Sequence, residues 1–135
     1  MLPTNPQIVP GVYPGGGKAA LLRAGEYAYL TLNQVLNVGQ SSIAVQMDRS
    51  KSGFYYPMGV SLEVSFSGSA GTFEIDLQFS DTDQDSFYVT NSKLTTGLNA
   101  SNVGRIEVTN FWALFARVNV AALGNAVQMT AKITR

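Results

Sequence analysis

Residues 110–135, NFWALFARVNVAALGNAVQMTAKITR, decide the fold class. Trp112, Leu114, Ala116, Val118 and Val120 alternate with Ala113, Phe115, Arg117 and Asn119, and beyond Gly124-Asn125 the alternation resumes with Val127, Met129, Ala131 and Ile133. Side chains of a strand point to opposite faces in turn, so period two on both arms predicts two strands, each with one apolar face. Gly124-Asn125 reads as a two-residue hairpin loop, which predicts pairing of Val120 with Met129, Val118 with Ala131 and Ala116 with Ile133.

A second stretch repeats the pattern. Val60, Leu62, Val64 and Phe66 alternate with Ser61, Glu63 and Ser65; after residues 68–71, Phe73, Ile75, Leu77 and Phe79 alternate with Glu74, Asp76 and Gln78. A hairpin pairing Phe66 with Phe73 puts both apolar sets on one face. Burying each large side chain contributes about 1.5–3 kcal/mol, so these four strands supply much of the burial that opposes chain entropy. Shorter strands are expected at 18–23 and 27–32 about Ala24-Gly25, at 42–47 with Ile43, Val45 and Met47 on one face, at 86–90 and at 105–109. Residues 33–41 are ambiguous, and 48–53 and 91–104 read as polar loops.

The composition agrees with an all-β domain. In 135 residues there are 13 Gly, 7 Phe and 6 Tyr, with only 13% charged residues. This length makes one domain and buries roughly two-thirds of the unfolded surface without staples. The predicted fold is an antiparallel β-sandwich, jelly-roll-like, over residues 18–135, preceded by an extended arm over 1–17. The arm carries Pro3, Pro6, Pro10 and Pro14 with Gly11 and Gly15 to Gly17, which excludes a helix or a central strand. Ile8, Val9, Val12 and Tyr13 lie between the prolines, and the segment reads either as a frayed terminus or as an arm that lays these apolar residues along a neighbouring subunit.

The totals also narrow the chemistry. Nine basic and nine acidic residues leave no net charge to support phosphate contacts, so nucleic acid is not an expected partner. With no Cys and no His, thiolate and imidazole metal sites, cysteine nucleophiles and Ser-His-Asp hydrolysis are absent. No apolar run approaches the ~18 residues of a membrane helix, and residues 1–6 do not read as a signal peptide. A carboxylate pair drawn from Glu63, Glu74 and Asp76 is what remains for glycosidase-type chemistry, and its place on an outer strand face argues against it. No enzyme and no cofactor are expected. Asp81, Asp83 and Asp85 have the alternate spacing that opens a calcium loop, but Ser86 and Ser92 stand where that loop needs its glycine and glutamate. They are weak metal candidates in what reads as a solvated loop.

The hairpin registers predict conflicts on the outer faces: Glu63 opposite Asp76, and Arg117 opposite Lys132. Like charges across a strand pair destabilise it, so an opposite charge is expected from Glu107 or from another subunit. Phe54-Tyr55-Tyr56-Pro57 is an aromatic cluster, read as a core plug or as a platform for a sugar or a protein.

Size, proline- and glycine-rich arm, strand pattern and the final strand ending Arg117-Val118-Asn119-Val120 resemble the small β-sandwich decoration, or cement, proteins of tailed bacteriophage capsids. The resemblance implies a virion structural protein on the capsid surface, a homo-oligomer bound to the major capsid protein or other virion subunits. It implies anchoring by Ile8, Val9, Val12 and Tyr13, with Arg117 and Lys132 setting register with neighbours. The alternative is a carbohydrate- or receptor-binding module of a fibre or tail, using Tyr55 and Tyr56 with the loop at Asp81 to Asp85.

Overall fold

Every stretch singled out by its alternation contains a strand, but consecutive strands almost never pair with each other. The structure is a computed structural model that describes residues 21–48 and 58–135. Its strands are β1 (Leu21–Leu22), β2 (Tyr27–Gln34), β3 (Val45–Met47), β4 (Met58–Phe66), β5 (Phe73–Ser80), β6 (Val89–Leu94), β7 (Val103–Phe111), β8 (Phe115–Leu123) and β9 (Met129–Thr134). They form a five-stranded sheet in the order β1-β3-β8-β5-β6 and a four-stranded sheet in the order β2-β9-β4-β7. All pairs are antiparallel except β1 with β3. Setting β1 aside, the strands follow the order of two nested Greek keys, crossing between sheets at every connection but β5–β6, which is the jelly-roll order.

The two predicted hairpins are corrected by this topology. Strands β8 and β9 lie in opposite sheets, as do β4 and β5, and β5 with β6 is the one consecutive pair that shares a ladder. From Ala116 onward the predicted inward face agrees with the structure. Ala116, Val118 and Val120 look across the core toward the sheet that carries Met129, Ala131 and Ile133, and all six are buried. Phe66 and Phe73 do meet, with ring centroids 5.3 Å apart and an interplanar angle of 61°, as an edge-to-face contact between sheets. Two strands facing each other across a sandwich core have the same period-two signature as two arms of a hairpin.

The crossings are built from the residues read as hairpin turns. Residues 67–72 and 124–128 run side by side: the Gly124 N–H donates to Thr72 O at 2.7 Å, the Asn125 N–H to Ala70 O at 3.1 Å, and Asn125 Nδ2 to Ser69 O at 3.0 Å. A Cβ on Gly124 would stand 3.1 Å from Thr72 N, so the close approach of the two backbones favours glycine. The bend at Ala24-Gly25 likewise passes from one sheet to the other, with Gly25 at φ 81°. Its hydrogen bond from Gly25 N–H to Arg135 O, 2.9 Å, joins the start of the sandwich to its last strand.

Strand parity changes once near the end of β7, and this change positions the candidate site. Ile106 and Val108 point inward, but the next buried residue is Phe111, because Asn110 takes φ 56° and the β4–β7 register shifts between Met58 and Val60. The bulge turns Phe111 into the core, where it stacks on Phe79 with centroids 4.2 Å apart. Trp112 is thereby turned out. The loops 81–88 and 112–114 meet at this end, where Met47 N–H donates to Leu114 O and Leu114 N–H to Ser80 O. Elsewhere β6 extends to Leu94 and β7 begins at Val103, so the polar loop expected over 91–104 shrinks to 95–102.

Candidate interaction surface

Five large apolar side chains are conspicuously exposed among the described residues: Val35, Val38, Phe87, Val89 and Trp112. Three of them, Phe87 (56% exposed), Val89 (69%) and Trp112 (48%), border the same surface, beside the edge strands β6 and β7. Two adjoining open depressions of about 370 and 300 Å³ share Phe79, Val89 and Trp112 as walls. Phe111 and Asn91 extend the first, and Phe87 and Asp81 the second. The floor is the buried Phe79–Phe111 stack, so the groove is an aromatic surface continuous with the core.

Arg117 holds the loop that carries Phe87. Its side chain lies on the outer face of β8 and is covered: Nε donates to Gln78 Oε1 at 3.0 Å, Nη1 to Asp85 Oδ1 at 2.6 Å, and the guanidinium stacks 3.8 Å above the Tyr88 ring. Tyr88 in turn donates its hydroxyl to Asp83 Oδ1 at 2.6 Å. Asp81 Oδ1 accepts from the Leu114 N–H at 3.2 Å, which ties the loop to the β7–β8 corner. One buried cation and its stacked ring thus fold a polar loop against the sheet, with a single 3-10 turn at Asp85–Phe87 placing Phe87 outward.

The three aspartates weighed as metal ligands are engaged elsewhere in this geometry. Asp81, Asp83 and Asp85 turn to three different partners rather than to a common point, and no group of three potential ligands is found among the described residues. The three carboxylates weighed for glycosidase chemistry separate as well: Glu63 lies on the four-stranded sheet, while Glu74 and Asp76 lie on the five-stranded one. The charge conflicts disappear for the same reason. Glu63 sits between Arg105 and Lys132 in register, with Arg105 Nη2 at 2.7 Å, and Arg117 lies opposite Gln78 rather than Lys132. Lys132 is instead 5.3 Å above the Tyr27 ring.

One carboxyl is electrostatically unusual. Asp76 is 7% exposed, its Oδ1 is buried with no hydrogen-bond partner, and its Oδ2 accepts a long hydrogen bond, 3.4 Å, from Thr90 Oγ1. Its pKa is raised above the ordinary 3.8, first by burial and then by Glu74 on the same strand, against the pull of Lys93. At the C-terminus, Arg135 donates to the carbonyls of Leu22 and Asp48, and burial lowers its pKa while the Asp48 charge opposes that shift.

Of the residues expected to contact partners, the structure places Arg117 and Lys132 on different sheets, Arg117 inside the loop clamp and Lys132 on the opposite outer face. Ile8, Val9, Val12, Tyr13, Tyr55 and Tyr56 lie outside the described residues. Phe87, Val89 and Phe111 were not anticipated as surface formers, and Trp112 was assigned inward. The available signals were two apolar residues inside the polar stretch 80–92 and an asparagine directly before Phe111-Trp112. No family model matches the chain, and neither a curated protein nor a solved structure does.

Proposed function

We propose that this chain is a virion structural protein that binds and reinforces a phage capsid shell, in the manner of decoration or cement proteins. The observation that carries the reading is the aromatic end of the sandwich: Phe87, Val89 and Trp112 form one exposed patch on loops held in place by Arg117. An exposed apolar patch with polar surroundings marks an interaction site, and aromatic residues on a fixed framework bind with little loss of side-chain entropy. The jelly-roll order is compatible with this role, since capsid and lectin domains both use it, and function must rest on the site rather than the fold. Binding in many copies on a shell multiplies a modest affinity per site.

The test is co-sedimentation of the full chain with phage shells assembled from purified major capsid protein, with shell resistance to heat as a second readout. Saturable binding is expected, weakened at least tenfold by the pair Phe87→Ser and Trp112→Ser, neither of which is buried. Absence of binding by the parent chain, or unchanged binding by the doubly substituted one, overturns the proposal. Retention on immobilised glycans, lost with the same pair, would put a carbohydrate-binding module in its place.

A further inference from the structure

The groove beside Trp112 and the proline-rich arm are chemically matched. Segments with spaced prolines adopt the extended polyproline conformation at low entropic cost and dock into grooves lined by aromatic side chains. This chain carries both halves: Pro3, Pro6, Pro10 and Pro14 with Ile8, Val9, Val12 and Tyr13 between them, and a groove walled by Phe79, Val89, Phe111 and Trp112. Both are uncharged, which suits an apolar contact: residues 1–17 contain no Asp, Glu, Lys or Arg.

The geometry points to a second copy rather than the same one. Strand β1 pairs in parallel with β3, and β3 runs toward the corner where Met47 N–H meets Leu114 O. Strand β1 therefore runs toward the Trp112 end and begins at the end away from it. In addition, β1 and β6 are opposite edges of the five-stranded sheet, four strand spacings or roughly 19 Å apart. An arm reaching its own groove must reverse and cross that width, whereas an arm leaving along its own direction projects beyond the molecule. Twenty residues precede Leu21, and in a polyproline conformation of about 3.1 Å per residue such a length would span ~60 Å, enough to reach a neighbour. We infer that the groove formed by Phe79, Val89, Phe111 and Trp112 receives the arm, residues 3–14, of a second copy of this chain. The inference rests on the reading of this end as an interface and names what occupies it.

The absence of cysteine makes a direct test available. Full-length Gln7→Cys is mixed with full-length Val89→Cys and treated with a short bismaleimide, and in parallel with Val35→Cys, which is exposed at the other end of the sandwich. The expected result is a mixed dimer with the 89 variant, formed at least tenfold faster than with the 35 variant. The doubly substituted chain, Gln7→Cys with Val89→Cys, should cross-link into dimers and higher forms. Equal rates at 89 and 35, or a doubly substituted chain that closes only on itself as a monomer, overturns the inference.

Trp112 is the one tryptophan, so its emission reports the same contact without modification. Full-length Ile8→Asp with Val12→Asp should red-shift that emission and lower the mass seen by light scattering; an unchanged spectrum and mass also overturn the inference. Because these measurements contain no shells, their failure alongside intact shell binding separates this inference from the functional reading. Success without shell binding separates them the other way.

Discussion

Replacing Asp76 by Asn should stabilise the protein at neutral pH, a counterintuitive result for a buried carboxylate flanked by a lysine. Asp76 lies on the outer face of β5, opposite Lys93 and Asn119 in register, yet its Oδ1 is buried without a partner and Glu74 crowds it on the same strand. Desolvation penalises the charged form of this buried carboxyl and Lys93 offsets only part of it, so removing the charge with Asp76→Asn should give a net gain of about 1 kcal/mol. For a domain of this size that is roughly 3–5 °C in Tm. The amide replaces the buried charge with a neutral group whose Nδ2 is able to donate to Glu74.

The sign of the pH dependence follows from linkage. The folded-state pKa is raised, so the folded state holds the proton more tightly than the unfolded chain. Below the ordinary value of 3.8 both states are protonated and the carboxyl costs nothing; as pH rises through the raised value the penalty grows, then levels off. The advantage of Asp76→Asn should therefore be near zero in acid and full at pH 7. Urea unfolding of both proteins across that range checks it. A variant less stable than the parent at pH 7, or an advantage that does not change with pH, would refute the reasoning.

Other substitutions probe the clamp and the core. Arg117→Ala should cost about 2–3 kcal/mol in urea unfolding, because it removes charged hydrogen bonds and a stacked, covered side chain. Asp85→Ala should cost under about 1 kcal/mol, since that side chain is 96% exposed and its ion pair is screened; comparable losses from both would mean that Asp85, not the packing of Arg117, holds the loop. Gly104→Ala should destabilise by about 1–3 kcal/mol through overpacking, as its Cβ would lie 2.8 Å from Leu98 Cδ2 and 3.0 Å from Leu94 Cδ2. Phe111→Ala, which removes one ring of the buried stack on Phe79, should cost about 3–5 kcal/mol by thermal or urea unfolding.

The inward faces of the strands were readable because burial is a property of each strand alone. Val118 is buried whether its strand pairs with β9 or with β5, so alternation identified it correctly while leaving its neighbours open. Strand partners depend on how each connection is routed, and Gly124-Asn125 serves as well for a sheet crossing, braced by Thr72 and Ala70, as for a hairpin turn. The error passed directly into the charges. Glu63 seemed to face Asp76 only because β4 and β5 were joined in one ladder; in the jelly roll it faces Arg105 and Lys132, and no outside charge is required.

Trp112 shows where a local irregularity outweighs a long pattern. Alternation from Ala116 to Val120 extrapolates to an inward Trp112, but the left-handed Asn110 shifts the buried positions to Phe111 and Ala113, and the corner between Ala113 and Ala116 shifts them back only as β8 begins. Asparagine tolerates that conformation at modest cost, which is why the bulge can sit there. Its consequence is an exposed tryptophan beside the exposed Phe87, with Phe111 spent on the core. Hydrophobic burial alone would have favoured the opposite arrangement, since a buried tryptophan removes more apolar surface than a buried phenylalanine. The fold thus forgoes stabilisation at one corner, and this exposed aromatic surface is what the proposed interaction rests on.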